Sequence, residues 1–197
     1  MPILYILCGP SGCGKSTWAK SDERMKECSY VSRDVIRYSI VKEEEEYFSH
    51  EKEVFRRFVS ELIKNLKVGF DTIADATHLN EFSRRKLTQA IDMYFPYYNI
   101  VYVVFNTNVE TCVARNANRE GRANVPENII RNMCRDFRAP TLDEDERVVA
   151  IYDANSNDIE VKDCHNCAHG FEDEQFNLPL CHNNEHCKNF ELWKGKE

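Results

Sequence analysis

The sequence has 197 residues, 42% hydrophobic and 30% charged, with a formal net charge of −7. That apolar content supports a real core and excludes wholesale disorder, while the acidic balance excludes a protein that coats nucleic acid through overall charge. The longest apolar runs, residues 3–8 and 100–105, fall far short of the about 20 residues a membrane helix needs, and the amino terminus lacks a basic segment leading into a long apolar one, so a cytoplasmic protein without a secretory signal is expected.

Residues 3–8 form an apolar run closed by Gly9, the pattern of a buried strand, and residues 15–26 read as a helix. Between them stands Gly9-Pro10-Ser11-Gly12-Cys13-Gly14-Lys15-Ser16-Thr17, a match to G-x-x-x-x-G-K-[ST] in its strand-to-helix setting. Its glycines let backbone N–H groups turn inward around the α- and β-phosphates of a nucleotide, and the helix amino terminus adds positive potential. Lys15 is expected to reach the β- and γ-phosphates, and the Ser16 hydroxyl to bind Mg²⁺. The chain has no N-K-x-D sequence to read guanine and no L-S-G-G-Q stretch. ATP with Mg²⁺, in a small phosphotransferase, is the expectation.

A second short strand ends near Val31, followed by a helix over residues 33–40. Asp34 stands at its start and Arg37 one turn on. Phosphoryl transfer to a hydroxyl needs a carboxylate to orient the attacking oxygen and take its proton, a task that suits Asp34, while Arg37 can hold an anionic part of the acceptor. The plainer alternative is an N-capping aspartate with a surface ion pair. The acidic run at residues 43–46 reads as a solvated helix end or loop. Val54, Phe58, Leu62 and Leu66 recur at helical spacing in a long amphipathic helix. Residues 70–74 form a third strand, after which Asp75 can hold a Mg²⁺-bound water, or be simply a turn aspartate. His78, close by, reads as an ordinary loop histidine.

Asn80 is placed to cap a helix over residues 81–93, and Asn108 another that runs to about residue 118, after a fourth strand at 100–105. Arg115 and Arg119 share a helix face, and Arg122 follows the break at Gly121. Residues 115–138 hold six arginines against three acids. Three arginines converging on one side suit a transferring phosphoryl group; the alternative is a solvated basic helix. Pro126 is placed as the first residue of the next helix, and residues 148–152 form a fifth strand. Strands alternating with helices predict an α/β fold: a parallel five-stranded sheet with helices on both faces, its ligands at the carboxyl ends of the strands.

With these residues in view, residues 3–137 resemble the kinase domain of the 5′-hydroxyl polynucleotide kinases of bacteriophages and bacterial RNA repair. The segment from Gly9 to Trp18 matches that family's phosphate loop. Ser32-Arg33-Asp34 with Arg37 resembles its acceptor segment, Asp75 followed by Leu79-Asn80 its turn after strand three, and Arg115 through Arg122 with Val125-Pro126 its lid. The resemblance implies Asp34 as general base, Arg37 on the acceptor phosphate, and Arg119 on the ATP phosphates with Arg115 in support. The larger phage enzymes carry a phosphatase domain, and no Asp-x-Asp-x-Thr signature for one occurs here. Asp75 is followed by Ala76-Thr77-His78, one residue longer than the phage form.

Composition shifts near Asn157, where a boundary divides a kinase domain (1–157) from a cysteine-rich module (158–197). Cys164, Cys167, Cys181 and Cys187 crowd into the second part, with His169, His182 and His186 among them. Four thiolates can close a tetrahedral structural Zn²⁺ site, which a module too small for its own core would need; free thiols are the alternative. The expected activity is ATP-dependent phosphorylation of the 5′-hydroxyl of DNA or RNA, with nucleic-acid 5′ ends as substrate. The rivals are a kinase of a small-molecule hydroxyl (a nucleoside, sugar or antibiotic) and a non-catalytic ATP-gated binding module.

Overall fold

The computed structural model describes residues 1–161, 170–173 and 178–181. Its main sheet is built from β1 (Ile3–Cys8), β2 (Ser29–Ser32), β3 (Thr72–Asp75), β4 (Asn99–Val104), β5 (Val148–Asp153) and β6 (Ile159–Val161). Their order is β2-β3-β1-β4-β5-β6. The first five run parallel, as alternating strands and helices predict, but β6 pairs antiparallel with β5 and adds a sixth strand that the sequence reading omits. The sheet therefore extends past Asn157. Asn157 itself sits at φ 64 in the tight β5–β6 turn, a conformation that asparagine tolerates. A separate hairpin pairs β7 (Gly170–Asp173) with β8 (Leu178–Cys181).

Among the described residues, six α-helices join the strands: α1 (Lys15–Ser21), α2 (Arg33–Ile40), α3 (Glu51–Lys67), α4 (Glu81–Asp92), α5 (Val109–Ala117) and α6 (Glu127–Asp136). The first is shorter than its sequence pattern suggests. Asp22 adopts an extended backbone and its carboxylate accepts from the Arg24 N–H, which starts a separate 3₁₀ turn over Glu23–Met25. Asn80 and Asn108 do cap their helices, accepting from the N–H groups of Ser83 and Thr111. Pro126 stands one residue before the first helical position of α6, at ψ 138.

The alternation of β1 divides the core into two layers. Leu4, Ile6 and Cys8 point to one face, against Phe58, Leu62 and Leu66 of α3 and Leu87 and Ile91 of α4. Ile3, Tyr5 and Leu7 point to the other, with Ala19 of α1, Cys112 of α5 and Ile130 of α6. One charged pair lies inside this framework. Arg84 is 1% exposed and binds Glu144 through two nitrogens, while its third nitrogen donates to the carbonyls of His78 and Arg138. It thereby ties the turn after β3 to the segment after α6. Register places Ser32 opposite Asp75, and Cys8 opposite Val104, so the loops after β1, β2, β3 and β4 open on one edge.

Candidate active site

The phosphate loop lies at the carboxyl end of the central strand, where neighbouring connections diverge to either side, the usual place for a ligand in an open α/β sheet. Two of its glycines have positive φ, Gly12 at 84 and Gly14 at 112. Gly12 is required for a second reason: a Cβ there would stand 2.3 Å from the Cys112 carbonyl oxygen of α5. The loop is pinned from below by the Gly9 N–H donating to the Thr77 carbonyl at 2.9 Å. The Lys15 ammonium is buried and donates to the carbonyls of Gly9 and Pro10 at 2.9 and 2.7 Å, so it points back along the loop it serves. Thr17 is exposed on α1. Cys13 turns its thiol into the core and offers its carbonyl to Thr107 Oγ1 and Arg115 Nη1.

Beneath this loop, Ser16 Oγ donates to Asp75 Oδ2 at 2.6 Å, and the Tyr30 hydroxyl donates to the same carboxylate oxygen. Burial, reinforced by the Asp75 charge, pushes the Tyr30 phenol up to about 12, which keeps it a donor. A hydroxyl and a carboxylate held together are hard oxygen donors, and they fit Mg²⁺. His78 is buried at φ 40 with Nδ1 3.0 Å from the Leu7 carbonyl, so that nitrogen carries the proton. Burial lowers its pKa to about 4. It is therefore a neutral strut under the loop rather than the free loop histidine the sequence suggests.

On the β2 side, Ser32 caps α2, accepting from the Val35 N–H, so the cap role open to Asp34 belongs to its neighbour. The Asp34 side chain is 63% exposed on the open edge. Arg37 is not a free surface cation. Its side chain is 5% exposed, and its guanidinium donates to Asp34 Oδ1, to the Tyr47 hydroxyl at 3.0 Å and to Glu51 Oε2 at 2.9 Å. Arg33 binds the same Glu51 carboxylate. Tyr47 in turn donates to Asp34 Oδ1 at 2.9 Å. Tyr30, Tyr47 and Glu51 were not legible as site residues. Glu51 looks like any acid in the first turn of a helix, and only the folding of α3 against α2 brings it to the arginines.

The lid arginines separate instead of converging. Arg115 Nη1 donates to the Cys13 carbonyl at 3.0 Å, and Arg119 Nη1 to Ser11 Oγ at 3.2 Å, so both face the phosphate loop. Arg122 turns away after Gly121, at φ 56, and donates to the Val41 carbonyl at the end of α2. Among the described residues, no group of three or more His, Cys, Asp or Glu side chains is placed to hold a metal ion. The proposed zinc ligands Cys164, Cys167 and Cys187 lie outside the described residues, and of Cys181 only the backbone in β8 is described.

The model of the AAA domain family matches residues 4–140. The chain belongs to that family. Among curated proteins none matches this AAA domain. Among solved structures, a chain of the Pnkp1/Rnl/Hen1 RNA repair complex is 27% identical with a TM-score of 0.59, over 68% of this chain and 43% of that one. The AAA domain protein thus spans less than half the length of that relative. A sugar kinase from Janibacter sp. HTCC2649 (16% identity, TM-score 0.53, 78% and 86% covered) and a fungal RNA kinase (10%, 0.52, 97% and 82%) share the fold. Loop, sheet order and family match together give this chain a P-loop kinase-like α/β fold, similar to that of the RNA repair chain. Among the described residues, no helix is long and apolar enough to cross a membrane.

Proposed function

We propose that the domain transfers the γ-phosphoryl group of ATP to the 5′-hydroxyl of DNA or RNA. The observation that carries this reading is the exposed Asp34 carboxylate, on the sheet edge that bears the phosphate loop, with the Arg33 and Arg37 guanidinium groups beside it. A hydroxyl next to a phosphodiester needs a proton acceptor and an anion seat together. Asp34 accepts the proton of the 5′-hydroxyl as its oxygen bonds to the γ-phosphorus. The bond from that phosphorus to the β–γ bridging oxygen breaks, and ADP leaves. Lys15 and Arg119 offset the charge spreading over the transferred group, and Arg115 holds the loop in shape. Mg²⁺, held by Ser16 and through water by Asp75, would neutralise the triphosphate. The 27% identical RNA repair chain supports this reading of the acceptor.

A second reading has its own observation. Glu51 already neutralises Arg33 and Arg37, which leaves room for an uncharged small-molecule hydroxyl as acceptor. Transfer of labelled γ-phosphate to 5′-hydroxyl oligonucleotides, with nucleosides and sugars alongside, separates the two. Labelling of oligonucleotide ends is expected, and Asp34→Asn is expected to reduce it by about 10²-fold or more. ATP binding without oligonucleotide labelling would overturn the polynucleotide reading.

A further inference from the structure

We infer that Tyr38, Tyr47 and Phe48 form a stacking platform for the 5′-terminal nucleobase of a single-stranded acceptor, an inference that rests on the polynucleotide reading above. The three rings lie on α2 and in the connection to α3, and they pack on one another instead of entering the core. The Tyr38 and Tyr47 centroids are 6.3 Å apart at 64°, and those of Tyr47 and Phe48 are 4.9 Å apart at 89°. Phe48 is 65% exposed and Tyr38 38% exposed. Exposed aromatic side chains cost hydration free energy, and clustering beside a reacting carboxylate gives that cost a use. The link to the chemistry is direct, since the Tyr47 hydroxyl donates to Asp34 Oδ1.

The same corner holds guanidinium groups packed against the rings. Arg37 lies 4.6 Å from the Tyr47 ring centroid and 5.4 Å from that of Phe48, and Arg122 lies 5.2 Å from that of Tyr38. Among the described residues, the buried side-chain polar atoms left without a hydrogen-bond partner are Arg33 Nε, Arg37 Nε and Arg122 Nη2. All three belong to arginines around α2. Exposed apolar rings packed against guanidinium groups match the end of a single strand, with its base on the rings and its negative backbone near the positive charge. The neighbouring run Glu43–Glu46 limits the platform to the end of the strand. Glu45 is held there by the Lys42 N–H and His50, and this acidic segment repels a backbone continuing across it.

The test compares two 5′-hydroxyl oligonucleotides that differ only in the first residue, a normal nucleotide or an abasic tetrahydrofuran analogue. With the wild-type protein, KM for the abasic acceptor is expected to rise about tenfold or more, as loss of one base–aromatic stack predicts, with kcat changing less. Phe48→Ala is expected to abolish the difference and Phe48→Trp to restore it; the exposed position makes both variants safe for folding. A 2-aminopurine at the 5′ end is expected to change its fluorescence on binding the wild-type protein and not the Phe48→Ala, Tyr38→Ala double variant. Equal KM values for the two acceptors overturn the platform and leave the kinase reading standing. Failure to label any oligonucleotide overturns both.

Discussion

His78 shows what a single residue contributes beneath the phosphate loop. Its ring is buried, hydrogen-bonded to the Leu7 carbonyl and tilted against Phe58. Because burial lowers its pKa from 6.5 to about 4, the unfolded chain takes up the proton first as pH falls. No stability is lost through this group above about pH 6.5. Between there and pH 4 the loss grows to about 3 kcal/mol, at 1.36 kcal/mol per pKa unit. Urea unfolding across that window is expected to show the slope, and His78→Asn, which keeps the positive φ within reach, is expected to flatten it. The residues of the phosphate loop were legible because their spacing is dictated by backbone geometry: Gly12 and Gly14 do sit at positive φ. Asp34 was legible as a residue next to the loop edge. The fate of Arg37 was not, because its partner Glu51 is fourteen positions away and nothing local marks the pair.

Among elements, the packing of α3 on α2 decides how the proposed acceptor side is presented. The first turn of α3 delivers Glu51 onto Arg33 and Arg37, so an acidic side chain sits where an acceptor phosphate would be held. Glu51→Gln removes that competing charge. For a polynucleotide acceptor, KM is expected to fall about fivefold or more, a change of about 1 kcal/mol, while KM for ATP stays constant. Steady-state kinetics with the two substrates varied in turn checks this, and a rise in acceptor KM would show that Glu51 supports the site instead of masking it. The helices themselves were readable from periodicity and caps, as at Asn80 and Asn108. The end of α1 was not, because the Asp22 carboxylate captures the Arg24 N–H and starts a new turn within a sequence of good helix formers.

For the whole molecule, the parallel sheet followed from strands alternating with helices, and its two apolar faces follow from β1 buried on both sides. The strand β6 is not legible in the sequence because three residues cannot establish an alternation. With a net charge of −7, the polynucleotide acceptor proposed above would be held locally, by a few arginines, and not through overall charge. The acceptor KM is therefore expected to rise only weakly with salt, with a log–log slope of about 1 to 2, as two or three phosphate contacts to a single strand imply. A KCl titration reads this slope directly, and a value near 5 would demand a basic surface elsewhere. The antiparallel direction of β6 has a further effect on anything attached beyond it. While β5 runs towards the rim that carries the phosphate loop, β6 runs back, and its last residue, Val161, lies beside Ala150. The chain is thus handed off below the rim by about 10 Å, at about 3.3 Å per strand residue. A fused domain or affinity handle placed directly after Val161 would begin its path behind the edge that bears the phosphate loop, leaving the approach to Asp34 clear at the point of attachment.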